Sequence, residues 1–345
     1  MSSGIIGIYG VPNSGKTTFM AVTYGLLSGL YFHKIIPSDP SSNRLLKRKL
    51  RVDLTGSDTN LETYLRDKLE RILSGATPRR TEPSLLSAMT MKIIYGRKKF
   101  LLRIADTSGE NYVLASNHIS KYIDTIKVRE PGLLEHLLLG EQTRSMSLST
   151  LLRTIMDIFD GITEELSRYL LSEFVDELSK AFYRGYLLIV DRQGDTELQD
   201  HVFSSLLLYV LLKHIRYCVR IKTPMIIRGA RFIVNVPVTI AFSKSETEHI
   251  NWYDRSDLWL NAVAFLEFKR LFPRTYDILT RFFTYWRELR HIDSLDVTMN
   301  KKKITPVFYY SAFGRAAGER PILEDGVLRP WRILLPLAYC LGIRW

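Results

Sequence analysis

Eight residues near the start of the chain, Gly10-Val11-Pro12-Asn13-Ser14-Gly15-Lys16-Thr17, have the spacing G-x-x-x-x-G-K-[ST]. Its glycines let successive backbone amides turn toward one point, where phosphate oxygens can be held, and a following helix adds partial positive charge there. In that pattern the Lys16 ammonium reaches the β- and γ-phosphates and the Thr17 hydroxyl ligates Mg2+. A second cluster, Asp106-Thr107-Ser108-Gly109-Glu110, closes an apolar run. A carboxylate such as Asp106 at a strand tip suits Mg2+ held through water, and the Gly109 amide suits a γ-phosphate oxygen.

These groups work only if strands and helices present them together. Gly4–Tyr9 is a short β-branched run and reads as a buried strand, and Thr17–Leu30 reads as a helix, the context that the first motif requires. Met89–Tyr95 and Phe100–Ala105, joined by Gly96-Arg97-Lys98-Lys99, read as an antiparallel hairpin that ends at Asp106. Between them, Pro37–Asp53 reads as an exposed basic segment. Thr59 and Glu62 form a capping box for a helix with Leu61, Leu65, Leu69 and Ile72 on one face, ended by Gly75. Residues 113–183 carry no strand signal, and the recurrence Leu166, Leu170, Phe174, Leu178 marks helices; the stretch reads as a helical insertion within a single domain, 1–345. Strand character returns at Tyr186–Val190, Phe232–Phe242 and Val307–Tyr310, with helices over His201–Val219 and Leu258–Leu289. Strands alternating with helices predict a mainly parallel sheet covered on both faces.

Composition sets the outer limits. The chain has 345 residues, 46% of them hydrophobic, which excludes a disordered polymer. Lys plus Arg outnumber Asp plus Glu by 48 to 36, a net charge of +12 that invites an anionic partner: nucleotide phosphate, nucleic acid or an acidic membrane surface. The basic runs at 44–51, 97–99 and 301–303 could form such a surface, but no aromatic interleaving or nucleic-acid fold signature accompanies them, and they read rather as solvated loops. Cys218 and Cys340 lie in apolar stretches and read as reduced core thiols. The longest uncharged apolar runs, Val202–Leu212 and Ile333–Ile343, are too short to span a bilayer, and no targeting segment opens the chain, so a cytoplasmic protein is expected. Glutamine is confined to Gln142, Gln193 and Gln199, a weak sign of a heat-adapted source.

Taken together, the ordered motifs resemble the P-loop GTPases of the Ras-like and translation-factor class. The resemblance covers residues 4–20, 73–110 and 185–315 in pieces. It implies a P-loop NTPase three-layer sandwich, mainly parallel with one antiparallel edge strand, to which the helical insertion is added. It implies GTP or GDP held by Asn13, Ser14, Gly15, Lys16, Thr17 and Thr18, with Mg2+ held by Thr17, Asp106 and a switch threonine. Thr77 and Thr81 are candidates for the last. The run Leu73–Thr81 is similar to a pattern of the double-GTPase branch, which points to Thr81, and Leu328-Arg329-Pro330-Trp331 resembles the same branch more loosely. Ser243-Lys244-Ser245-Glu246 stands where the family reads the guanine base, with Glu246 one methylene longer than the family's Asp and Ser243 in place of Asn or Thr. Ser311-Ala312 stands where a loop amide meets the guanine O6.

The resemblance implies a GTP-binding switch that hydrolyses GTP to GDP, with Lys16, Thr81, Gly109 and Glu110 in catalytic positions. Glu110 replaces the family's water-orienting Gln and repels γ-phosphate, so slow unassisted turnover is expected. A protein partner docking on the helical insertion is the expected source of assistance, and Arg79 or Arg80 is an alternative in cis. A P-loop ATPase, a nucleotide kinase and a non-hydrolysing nucleotide-binding module remain open. Asp191-Arg192 resembles a pair found in some nucleoside kinases, but after Tyr186–Val190 it reads rather as the end of the fourth strand, in a surface turn.

Overall fold

A computed structural model describes residues 3–53, 59–129, 148–179, 183–220, 234–245, 255–290, 292, 305–314, 320–343 and 345. Strand β1 (Ser3–Tyr9) is followed by α1 (Lys16–Ser28), α2 (Pro40–Lys47), β2 (Arg51–Asp53), α3 (Thr59–Leu73) and the hairpin β3 (Leu86–Tyr95) and β4 (Lys98–Thr107). Helices α4 (Gly109–Arg129), α5 (Leu148–Tyr169) and α6 (Ser172–Ser179) lead to β5 (Gly185–Asp191), α7 (Thr196–Arg220) and β6 (Val238–Ser243). Next come α8 (Asp257–Leu271), α9 (Pro273–Phe282), α10 (Thr284–Arg287) and β7 (Val307–Tyr309). The small hairpin β8 (Leu323–Glu324) and β9 (Val327–Leu328) precedes α11 (Leu334–Cys340).

Seven strands form one sheet in the order β2-β3-β4-β1-β5-β6-β7. β4, β1, β5, β6 and β7 run parallel, and β3 is antiparallel to both of its neighbours. The antiparallel strand is therefore not at the edge, as expected, but one place in from it. The edge is β2, which pairs Arg51 to Ile94 and lies inside the segment expected to be exposed. That segment holds both α2 and β2 and is exposed on one side only. Its basic side chains face water, while Ser41, Ser42, Leu45, Leu50 and Val52 are buried beneath them.

Alternation along the strands splits the core in two. Ile6 and Ile8 of β1 and Leu187 and Ile189 of β5 face α1, α3 and α11. Tyr9 and Tyr186, Leu188 and Val190 face α4, α5, α7 and α8. Every residue of β5 is buried, as a central parallel strand covered on both faces requires. The stretch expected as an insertion is helical in its described parts, but α5 is not a free appendage. Its Ile155, Ile158, Phe159, Ile162 and Leu166 share the core with α4 and α7. Phe159 stacks on Tyr209 at 5.0 Å. The helix expected over Leu258–Leu289 is instead three helices. Phe272 leaves helical geometry and Pro273, which has no N–H to give, opens the next helix. Cys218 and Cys340 are both free thiols. Among the described residues no helix is long and apolar enough to cross a membrane.

The carboxy-terminal segment is fastened by a fully buried arginine. Arg332 donates from Nε to Asp257 Oδ1 at 2.9 Å and from Nη2 to Asn261 Oδ1 at 2.5 Å, while its backbone N–H reaches Asp39 Oδ2 at 2.7 Å. Asp39 also caps α2 through Ser42 N. Arg332→Met is expected to lower the unfolding free energy by about 3 kcal/mol, because it leaves the Asp257 carboxylate and Asn261 without their partner. Denaturant unfolding measures this; a change within experimental error would show that the guanidinium holds nothing together.

Candidate functional site

The parallel strands β1 and β5 diverge in their connections, β1 leading toward β4 and β5 leading toward β6. In an open α/β sheet, ligands bind beyond the carboxyl ends of the strands at such a switch point. A cavity of about 600 Å3 lies there, walled by the glycine-rich loop, the loop 77–81, the start of α4 and the tips of β5 and β6.

The loop that begins α1 has the backbone its sequence requires. Asn13 (φ 62°) and Gly15 (φ 87°) are left-handed. A side chain on Gly10 would strike Ser14 Oγ and the Ile189 carbonyl. No side chain caps α1, so its first N–H groups face the cavity. Ser14 Oγ is buried with no hydrogen-bond partner. Lys16 is folded back on its own loop, donating to the Gly10 carbonyl at 2.8 Å, with its ammonium 5.5 Å from the centre of the Tyr112 ring. Burial pushes the Lys16 ammonium down to about 8, against the pull of Asp106 and Glu110.

Three groups far apart in sequence meet beside it. Thr17 Oγ1 donates to Asp106 Oδ2 at 2.8 Å, and the Thr17 and Thr81 hydroxyls are 2.8 Å apart. An ionised carboxylate only accepts, so Thr17 spends its proton on Asp106 and Thr81 must donate to Thr17. The Tyr64 hydroxyl, 3.3 Å from Thr81, then donates to Thr81 in turn. Asp106 Oδ1 is buried and has no partner. Burial raises the Asp106 carboxyl above its ordinary value, and Lys16 opposes that shift. Two hydroxyls and one carboxylate, with an unused buried oxygen, fit a hard cation that completes its shell with phosphate oxygens and water. Among the described residues no cluster of three His, Cys, Asp or Glu side chains offers a metal site of its own.

Gly109 opens α4 pressed against the glycine-rich loop. A Cβ there would overlap the backbone at Val11 and Pro12, so no other residue fits without moving the loop. Glu110 lines the cavity in the first turn of α4, and Thr18 lines it from α1. Arg79 and Arg80 are exposed at its mouth, as is Thr77.

At the β5–β6 end the arrangement differs from the sequence expectation. The wall there is Asp191, Gln193, Lys244 and Phe313. Lys244, left-handed at φ 54°, places Nζ 2.6 Å from Asp191 Oδ2. Ser243 turns its hydroxyl to the Val190 carbonyl, and Ser311 closes its own turn onto Gly314 O, so both act on loop shape. Ala312 packs on the core, leaving Phe313 to meet the cavity. Glu246 and the basic run 301–303 lie outside the described residues.

Sequence reasoning missed several residues. Asp191, expected to end a strand in a surface turn, does end β5, but its side chain is nearly buried there, and it holds the turn that follows by accepting from Gln193 N. Its position as the last residue of an apolar run was the available signal. Lys68, buried on α3, donates to the Arg79 carbonyl at 2.7 Å. Tyr64 and Lys68 are one helical turn apart, so α3 grips the loop 77–81 at two points. The polar spacing on a helix read only for its apolar face was the signal for that pair. No protein-family model matches the chain, and no curated protein matches it.

Proposed function

We propose that the chain is a P-loop switch protein that binds GTP with Mg2+ in this cavity and hydrolyses it slowly to GDP. The observation that carries the reading is the meeting of Thr17, Thr81 and Asp106 at the foot of the glycine-rich loop, beside Lys16. Amides of residues 13–18 and the Lys16 ammonium bind the phosphates, and Thr17, Thr81 and Asp106 hold the cation. Mg2+ neutralises charge on the β- and γ-oxygens. Gly109 offers its amide to the γ-phosphate, and Lys16 stabilises the charge that develops in transfer. Glu110 cannot take the usual part of a neutral amide that orients water, and Arg79 and Arg80, which line the same cavity, are cations that can offset it. Lys244 and Phe313 form the platform for the base.

The test is Mg2+-dependent binding of GTP in competition with ATP, followed by phosphate release. Binding of GTP over ATP with slow release supports the reading. Equal binding of both would replace it with an ATPase, and tight binding with no release would leave a nucleotide-responsive binding module.

A switch needs a segment that responds to γ-phosphate. Residues 76–84 are expected to exchange their amide hydrogens more slowly, by an order of magnitude or more, with a non-hydrolysable GTP analogue than with GDP, because Thr81 gains a cation ligand only in the former. Thr81→Ala should abolish the difference. Identical exchange in both nucleotide states of the wild type would remove the switch.

A further inference from the structure

Two basic runs, 44–51 and 97–99, are far apart in sequence but share one end of the molecule. The pairing of Arg51 with Ile94 sets Lys49 and Leu50 beside the turn Gly96-Arg97 of the β3–β4 hairpin. Arg48 Nη1 reaches the Tyr95 hydroxyl at 3.4 Å and ties the two segments. Lys47, Lys49, Arg51, Arg97, Lys98 and Lys99 are all exposed there. Asp53, at the end of β2, is bound to Lys92 at 2.7 Å.

Apolar side chains stand within this basic rim. The turn after α1 leaves Phe32 75% exposed and Leu30 45% exposed, two of the large apolar side chains of the chain that water reaches most easily. Phe32 borders a groove of about 740 Å3 shared with Leu46, Lys49 and Arg51. A single exposed phenylalanine is ordinary; here it adjoins Leu30 in sequence and shares its groove with exposed Lys49 and Arg51, and that combination suits a surface both apolar and anionic.

The face lies opposite the cavity. β1 and β4 run parallel with Ser3 level with Leu101, and both end beside the glycine-rich loop. Ten residues of β4 put the two ends about 30 Å apart. A flat partner on the basic end leaves the cavity open.

We propose that this end docks on an anionic lipid bilayer, with Phe32 and Leu30 entering the headgroup–acyl boundary and the basic rim holding the charged headgroups. Exposed apolar side chains beside a cluster of lysine and arginine are the chemistry of such a surface. The proposal is independent of what the cavity binds.

The experiment is sedimentation of the full chain with phosphatidylcholine vesicles, with and without phosphatidylserine. Binding should require phosphatidylserine and fall as salt rises. Lys47→Gln, Arg51→Gln and Lys99→Gln together, one from each of α2, β2 and β4, should weaken it on the order of a hundredfold. Phe32→Ser should weaken it about tenfold while keeping the salt dependence. All four side chains are exposed, and an unchanged thermal midpoint verifies that the variants fold. Equal binding to both vesicle types, no binding to either, or an unaffected triple variant would overturn the proposal. Binding of a polyglutamate peptide, lost in the triple variant, with vesicles ignored, would overturn it in favour of an acidic protein segment.

Discussion

Lys16→Ala is expected to weaken binding of the Mg2+–triphosphate by roughly 1.5–3 kcal/mol, about ten- to a hundredfold, since it removes a charge-assisted contact to phosphate. The loss should depend on pH. Burial holds the Lys16 ammonium at about 8, below the ordinary lysine value of 10.5. Phosphate binds only the charged form, so wild-type affinity should fall as pH rises through about 8, and binding near that pH should take up a proton. The sign for stability is opposite. A lowered lysine value means that the fold disfavours the charge; that cost is present below about 8 and is released between 8 and 10.5. The ratio of wild-type to Lys16→Ala affinity isolates the lysine from the nucleotide's own titration. Calorimetry that finds a folded Lys16→Ala binding as tightly as wild type at every pH would remove phosphate from this cavity.

Asp106→Asn should separate stability from function. In the ligand-free protein the carboxylate is buried, one oxygen has no partner, and burial raises its pKa. A group whose folded value is raised destabilises the fold once ionised, so the neutral isostere should stabilise the free protein by about 1 kcal/mol. The same change removes the only carboxylate among the three groups gathered for a cation. Mg2+ should then no longer tighten triphosphate binding, and phosphate release should drop by about a hundredfold or more. The pair of readouts is thermal unfolding without ligand and Mg2+ titration with it. A variant that is less stable yet keeps its Mg2+ response would show Asp106 to be a structural residue.

The elements around the cavity were legible because they are long or local. The strand, glycine turn and helix at 3–28 sit within one stretch, and the β3–β4 hairpin has a short polar turn. The β2 edge was not legible. Three residues, Arg51–Asp53, are too few to show a period, and the strand exists only because β3 returns beside it. The eight residues of α2 hold only two apolar leucines beside serine, asparagine and basic side chains, and their buried face depends on Asp39 and Arg332, nearly 300 positions apart. The spacing of Tyr64 and Lys68 puts both on one face of α3, but what they grip is set by the return path of the loop 77–81. Placement of Thr81 beside Thr17 and Asp106 followed from motif order, whereas Asp191 and Phe313 reach the cavity through strand ends whose neighbours are set by the sheet.

The two-sided core has a consequence for the order in which the chain can mature. The layer that supports α1 is built from residues between 6 and 104, from Leu187, Ile189 and Ala241 of the sheet, and from Phe308, Tyr310, Leu328 and the run Ile333–Ile343. Phe19 of α1 meets Tyr310 edge-on at 5.3 Å. During synthesis, then, the first helix emerges with its apolar face uncovered and waits for some three hundred further residues before its last neighbours leave the ribosome. At roughly 5–20 residues per second that interval is tens of seconds, long enough for a chaperone to bind the exposed face. The glycine-rich loop at the head of that helix therefore rests on a scaffold completed only after residues 333–343 have been made, and a nascent chain stalled before residue 333 lacks it.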